Sequence, residues 1–569
     1  MNDTFPSSVA GFEQPLRLGN KRVAAKFVIP SGIRCTNAAT IESVFQHCPS
    51  VGIVTTKSIS HQPRAGYREP IYAWYSAGSY INAVGLANPG AVAFGRELER
   101  IEVPPDRFLL VSIFGANSAE FVEAARILAP VADGFELNMS CPHADGYGTE
   151  IGHVPALVGR ITQDVCRAIN LPVFVKLPVT SPDLEGTARI AIESGASGIT
   201  TVNTVGPSAH FVAGKPILAN TVGGLSGEGI RPLALNAVRR IRGAVGPEPI
   251  IIGMGGATSA EHVEAFAACG ANLFGIGSAL TGMDLQTMQS YFAALNNDVV
   301  TGSRDAERIY GGAIERRMVY QELVVRTNRE IGEDLFELTV DDQTGAFVGH
   351  QPGQFYFLSV PGTGEKPFAL YDAERCCFII KRIGPFTKFL AECGPGQRLM
   401  VRGPYGKPLP ALSGKTVVLV GGGMGTVPLY EIGRAFAGAN RVVSLIGAKT
   451  NSHLFDLGSF EAIGAVHVAT EDGSLGRRGL VTELLCDLIE VSPPAEVVFV
   501  NSGPEAMVMR AFEIERDMLS GAEAWGSIAF MTSCGVGICG KCSTPSGLLS
   551  CVDGHFMPRS AFQSRALKE

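Results

Sequence analysis

The chain has 569 residues, 46% hydrophobic and 18% charged, with a formal net charge of −7 at pH 7. One hydrophobic core does not serve that length, so two to four domains are expected, and the negative balance argues against nucleic acid or an anionic membrane surface as partner. The N-terminal MNDTFPSSVAGFEQPL lacks the basic and apolar regions of a secretory signal. No apolar run is long enough to span a bilayer. Nine of the 13 cysteines are scattered without a disulfide framework, which fits a reducing cytoplasm.

Residues 20–280 alternate short β-rich runs with helical stretches. AKFVI (25–29), GIVTTK (52–57), FLLVSIF (108–114), GFELNM (134–139), VFVKL (173–177), GITTVN (198–203), IIIGMGG (250–256) and LFGIG (273–277) read as strands, each followed by a candidate helix. In the stretch 183–194, Leu184, Ala188, Ala191 and Ile192 share one helical face. Eight such units predict an α/β fold of the (β/α)8 barrel type, with a doubly wound sheet as the alternative. Polar residues fall where the strands end: Lys57, Asn138, Lys176 and Asn203. In such barrels those ends carry the chemistry. Cys141 follows the fourth strand. A thiolate there can take a proton, whereas the common fate of a lone cysteine is a small buried side chain.

The polar stretch 296–315 reads as a linker or connecting helix. Beyond it VYQELVVRTN, LFELTVD, GQFYFLSV, CCFIIKRI and QRLMVRG are short strands with turns and no helices between, which predicts a small antiparallel barrel. TVVLVGGGMGTVPLYEIGRAF then reads strand, glycine loop, helix, and opens an α/β unit. The predicted boundaries are 1–300, a linker at 301–315, 316–412, 413–530 and 531–569.

Cys534, Cys539, Cys542 and Cys551 form a C-x4-C-x2-C-x8-C run near the C-terminus. The first three match the plant-type [2Fe–2S] spacing. Structural zinc usually takes two short cysteine knuckles, and only one is present. With no histidine at a ligand-like spacing, a Rieske centre does not fit either.

TKS (56–58), PRAGY (63–67), INAVGLANPG (81–90), ELNMSCPH (136–143), VKLP (175–178), TVNTVGP (201–207), GGLSG (223–227), GMGG (253–256) and GIGSA (275–279) occur in order. Together they closely resemble class 1 dihydroorotate dehydrogenases over about residues 15–295. The resemblance implies FMN over the strand ends, held by Ser31, Gly32, Lys57, Asn138, Lys176, Ser226, Gly227, Gly255, Gly256, Gly277 and Ser278. Cys141 would be the catalytic base, removing the C5 proton of dihydroorotate. Lys57, Asn82, Ala83, Gly85, Leu86, Asn138, His143, Asn203 and Thr204 would contact substrate, with backbone N–H groups of the INAVGLANPG loop receiving the carboxylate. His143 stands where the family often has Asn, a variant also associated with dihydropyrimidine dehydrogenases. Reduction of uracil or thymine is therefore the rival activity, and a redox-sensing electron-transfer protein the rival of another class.

PGQFYFL (352–358), KPFAL (366–370), GPFTKFL (384–390), GPYG (403–406), VGGGMGTVPL (420–429), TEDGSLGRRGLVT (470–482), SGPEAM (502–507) and the cysteine quartet resemble the ferredoxin-reductase-like electron-transfer subunit of NAD-linked dihydroorotate dehydrogenase. That resemblance implies FAD near Lys366, Pro367, Phe368, Ala369 and Thr387, and NAD at Gly421, Gly422, Gly423 and Gly425. Lys366 and Ala369 replace the Arg and Ser of the family's Arg-Pro-x-Ser, so the phosphate loses a bidentate partner and the flavin a hydroxyl. A fused enzyme is implied, with electrons passing from FMN through [2Fe–2S] and FAD to NAD+, and with barrels paired in a homodimer.

Overall fold

A computed structural model describes residues 11–140, 149–311, 317–489, 496–519 and 521–563. They divide into two compact units. The first holds the described residues up to 311 together with 536–540; the second holds those of 317–535 and 541–563.

In the first unit eight parallel strands close into a barrel: β1 (Phe27–Ile29), β2 (Val51–Thr55), β3 (Phe108–Ile113), β4 (Gly134–Asn138), β5 (Val173–Lys176), β6 (Gly198–Thr201), β7 (Ile250–Met254) and β8 (Leu273–Gly275). Each neighbours the next in sequence, and β8 pairs with β1. β2, β3 and β4 are buried along their whole length. This is why they read as continuous apolar runs rather than alternating ones. Leu18, Val23, Val28, Ile53, Phe108, Phe174 and Leu273 pack together in one core cluster. The helices start at side-chain caps: Asn37 before Ala38–His47, Asn117 before Ser118–Leu128, Asp183 before Leu184–Glu193, Ser259 before Ala260–Ala268. In Leu184–Glu193 the expected face is seated, with Leu184, Ala188 and Ala191 fully buried and Ile192 half-buried.

The expected strict alternation is interrupted twice. The chain leaving β2 forms the hairpin Tyr72–Ser76 and Ser79–Asn82 before its helix, and the chain leaving β6 forms Val205–Ala209 and Val222–Gly227. These four strands make one antiparallel sheet. The stretch expected as a linker or connecting helix is largely helical: Leu285–Thr301 runs through its first residues and Asp305–Tyr310 follows. Asp298, 1% exposed, accepts from Ser303 Oγ at 2.6 Å and from the Ala306 N–H at 2.8 Å, so a polar-looking sequence is tied into the unit.

The second unit contains two sheets. Six antiparallel strands lie in the order Gly364–Ala369, Phe355–Val360, Arg398–Tyr405, Gln321–Gly332, Leu335–Asp341, Cys377–Lys381. The strand Gly364–Ala369 and the helix Pro385–Ala391 both depart from the sequence reading, which placed no helix there. The other sheet has seven strands, in the order Arg477–Arg478, Ala465–Thr470, Arg441–Ala448, Thr416–Gly422, Val497–Ser502, Glu523–Ser527, Met557–Pro558. The first six are parallel and the last antiparallel, an α/β arrangement. Among the described residues no helix is long and apolar enough to cross a membrane.

Candidate active site

Asn138 ends β4 and Lys176 ends β5, in register with one another. Both are nearly buried, at 5% and 3% exposure. Asn138 Nδ2 donates to Ser58 Oγ at 2.9 Å, and its Oδ1 accepts from Ser140 Oγ at 3.0 Å and from the Ser140 N–H at 3.3 Å. Asn203, just beyond β6, donates to Ser140 Oγ at 3.0 Å and to the Ser140 carbonyl at 3.1 Å. Its Oδ1 receives the Thr204 N–H at 2.8 Å. The ends of β4 and β6 are thus locked into one polar group around the residue preceding Cys141. Cys141 and His143 lie outside the described residues.

Below this group Ser31, Ser58 and Ser112 form a chain of hydroxyls, with Oγ–Oγ distances of 3.1 and 2.9 Å. It ends at Glu136 Oε1, which accepts from Ser112 at 3.1 Å and lies 3.8 Å from Lys176 Nζ. The carboxylate balances the buried ammonium, as a charge in a low-dielectric interior requires. Ser58, Ser112, Glu136 and Ser140 were not singled out from the sequence. Glu136 left a signal, a charge inside the apolar run GFELNM.

Lys57 donates its N–H to the Cys35 carbonyl at 2.9 Å. Cys35 itself is a buried thiol pushed up to about 11, chiefly by burial, so it stays protonated. Asn82 is half-buried at the end of Ser79–Asn82, paired with Tyr72 and Gly224. In the loop that follows, the Ala83 N–H is engaged by the Ile71 carbonyl at 2.9 Å, and the carbonyls of Gly85 and Leu86 accept from Arg64 and Asn88.

Ser226 pairs with Tyr80 in the added sheet. Gly227 and Gly256 meet backbone to backbone: both have positive φ (+95° and +79°), and a Cβ on Gly256 would stand 2.5 Å from the Gly227 carbonyl. Only glycine allows that approach. Gly255 immediately precedes Gly256, and Gly277 leads into the short turn Ser278–Leu280.

The second unit contains a pocket of about 560 Å³. Pro367, Phe368 and Ala369 form one part of its wall and Gly422, Gly423 and Gly425 another. A Cβ on Gly425 would stand 2.2 Å from the Ser502 carbonyl. Gly421 is within the strand and packs on Thr426 instead of joining the wall. Lys366 is exposed on its strand. The Thr387 hydroxyl receives the N–H groups of Ile383 and Gly384 at 2.9 and 3.0 Å, capping its helix. His555 joins the wall unforeseen; burial pushes it down to about 4, so the imidazole is neutral at pH 7.

Cys534, Cys542 and Cys551 are buried in the second unit, with Cys542 Sγ and Cys551 Sγ 3.4 Å apart. Hydrogen bonds to Cys534 and Cys542 push the Cys551 thiol upward. Cys539 is half-buried, on the segment grouped with the first unit. Among the described residues no group of three His, Cys, Asp or Glu side chains is placed to hold a single metal ion. A two-iron cluster instead shares four cysteines between two irons.

A closed parallel barrel with polar side chains gathered at its C-terminal strand ends defines an enzyme of the (β/α)8 class. The Dihydroorotate dehydrogenase family model matches residues 17–297. The "Dihydroorotate dehydrogenase B (NAD(+)), catalytic subunit" of Pyrococcus horikoshii is 42% identical over 237 residues, covering 41% of this chain and 76% of that protein. The proteins of the same name from Methanosarcina mazei and Methanocella arvoryzae are 37% and 35% identical, covering 44% and 52% of this chain and 80% and 95% of their own lengths. This chain belongs to the dihydroorotate dehydrogenase family and is an oxidoreductase. A solved structure, "Insights into flavin-based electron bifurcation via the NADH-dependent reduced ferredoxin-NADP oxidoreductase structure", aligns at 26% identity over 44% of this chain and 90% of its own, with a TM-score of 0.39, too low to bear on the fold.

Proposed function

We propose that the chain oxidises (S)-dihydroorotate to orotate in pyrimidine biosynthesis and delivers the electrons to NAD+ within one polypeptide. The observation that carries the reading is the locked group Asn138–Ser140–Asn203 directly before Cys141, in a barrel of this family. In the reaction Cys141 takes the C5 proton, and the second amide N–H of Asn138 and the remaining lone pair of Asn203 Oδ1 offer one donor and one acceptor to the pyrimidine. Lys57 and Lys176 contribute positive charge at the strand ends, where the Gly227–Gly256 approach fits a phosphate cradle. FMN bound there supplies the acceptor for the C6 hydride.

The second unit reads as the electron-transfer module of a fusion. The glycine and Phe368–Ala369 walls of its pocket fit FAD and NAD, and the paired sulfurs of Cys542 and Cys551 fit [2Fe–2S]. Held by these residues, the groups would supply single-electron and hydride chemistry between the barrel and NAD+. We read the barrels as pairing in a homodimer, a cytoplasmic setting, and the five-part division with boundaries at 300, 315, 412 and 530.

The test is anaerobic turnover with NAD+ and either L-dihydroorotate or dihydrouracil. NADH formation with dihydroorotate alone is expected. Turnover with dihydrouracil alone would transfer the enzyme to pyrimidine reduction, with His143 setting the substrate.

A further inference from the structure

One buried charge pair in the second unit is used by no step above. Arg402, on Arg398–Tyr405, and Glu365, on Gly364–Ala369, have side chains 1% and 0% exposed. Arg402 Nε and Nη2 donate to the two carboxylate oxygens of Glu365 at 3.0 and 2.5 Å. Tyr320 Oη donates to the same carboxylate at 2.6 Å. The third guanidinium nitrogen, Nη1, donates to Tyr405 Oη at 2.8 Å and to the backbone carbonyl of Cys534 at 3.0 Å. The guanidinium carbon lies 4.1 Å from the centroid of the Phe357 ring. The cysteine loop rests on this assembly: a Cβ on Gly535 would stand 2.8 Å from the Phe357 ring and 3.3 Å from Arg402 Nη1.

Removing two ions from water costs several kcal/mol, and an apolar pair of similar volume fills a core at least as well. The apolar pair could not hold the Cys534 carbonyl or place a fixed cation beside it. Groups hydrogen-bonded to the backbone of a metal ligand orient it and tune the metal. Glu365 also adjoins Lys366–Ala369, so one ion pair ties the pocket strand to the first cysteine of the loop.

We propose that Arg402, anchored by Glu365, is a positioning residue that fixes the Cys534 side of the loop and raises the reduction potential of an iron–sulfur cluster bound there. This rests on the cluster reading above. A cation near a cluster favours the form carrying the extra electron, and Glu365 offsets part of that effect.

The experiment is an anaerobic redox titration of the whole protein, followed by electron paramagnetic resonance, for Glu365→Gln, Arg402→Gln and Arg402→Lys. Glu365→Gln should raise the cluster potential and Arg402→Gln lower it. Each change should be on the order of tenfold in the reduced-to-oxidised ratio at fixed poise, about 59 mV for one electron. Arg402→Lys keeps the charge without the fork, so it should hold the potential closer to the parent and broaden the spectrum. Loss of the cluster from Arg402→Gln but not Arg402→Lys would also support the role. Unchanged potentials and spectra, or shifts of the same sign in Glu365→Gln and Arg402→Gln, would overturn it while leaving the cluster reading intact. A parent protein with no cluster signal would overturn both.

Discussion

Asn203 donates two hydrogen bonds to Ser140, the residue preceding the proposed base, and accepts one from the Thr204 N–H. Replacing it with alanine leaves Ser140 and the Thr204 N–H to find other partners, a cost of roughly 1–3 kcal/mol for unsatisfied buried groups. If that cost falls on the transition state, Asn203→Ala should lower kcat/KM about 10- to 100-fold with flavin content unchanged, which steady-state kinetics and absorbance together check. Glu136 shows a different dependence. Glu136→Gln leaves the Lys176 ammonium buried without its counter-charge, and breaking such a pair costs about 3–5 kcal/mol. A clear fall in the denaturation midpoint is expected, and an unchanged midpoint would show that the pair contributes nothing net.

At the scale of elements, the close approach of Gly227 and Gly256 predicts that Gly256→Ala purifies with less FMN, since the added Cβ must displace backbone at 2.5 Å. Flavin content measured per protomer checks this. The helix Glu505–Met518 carries Glu515, fully buried and pushed up to about 8 by burial against the pull of Asn501 and Arg559. Its folded form therefore holds a proton that the unfolded chain releases near its ordinary value of 4.5. Between those values the native state binds more protons, so stability falls as pH rises from about 4.5 to about 8. Glu515→Gln should flatten that slope in denaturant unfolding measured across the window.

The eight barrel strands were legible because burial on both faces demands unbroken apolar runs such as FLLVSI. The hairpin of Tyr72–Ser76 and Ser79–Asn82 was not, because its buried positions are filled by Tyr72, Ala73, Ser79 and Tyr80 beside a single large aliphatic residue, Ile81, and such strands carry little apolar pattern. The polar stretch 296–315 left linker and connecting helix both open, because what ties it down is a buried carboxylate, Asp298, whose partners the sequence does not show. Lys57, Asn138, Lys176 and Asn203 were legible as polar residues at strand ends. The hydroxyls of Ser58 and Ser112 were not, since a serine in a strand says nothing of its partners until the barrel closes.

For the whole molecule, the proposed function requires the cysteine loop to carry electrons from substrate oxidation to NAD+ reduction. Cys542→Ser removes one of the paired sulfurs. It should abolish NADH formation from dihydroorotate while leaving reduction of an artificial dye by dihydroorotate near the parent rate. The most direct test is the unmodified chain, purified anaerobically and given L-dihydroorotate and NAD+, with orotate and NADH both quantified. If all the steps occur within one chain, the two form in equal amounts and the rate per protein molecule does not change on dilution. Orotate formed with a dye but no NADH formed with NAD+ would contradict the proposed function.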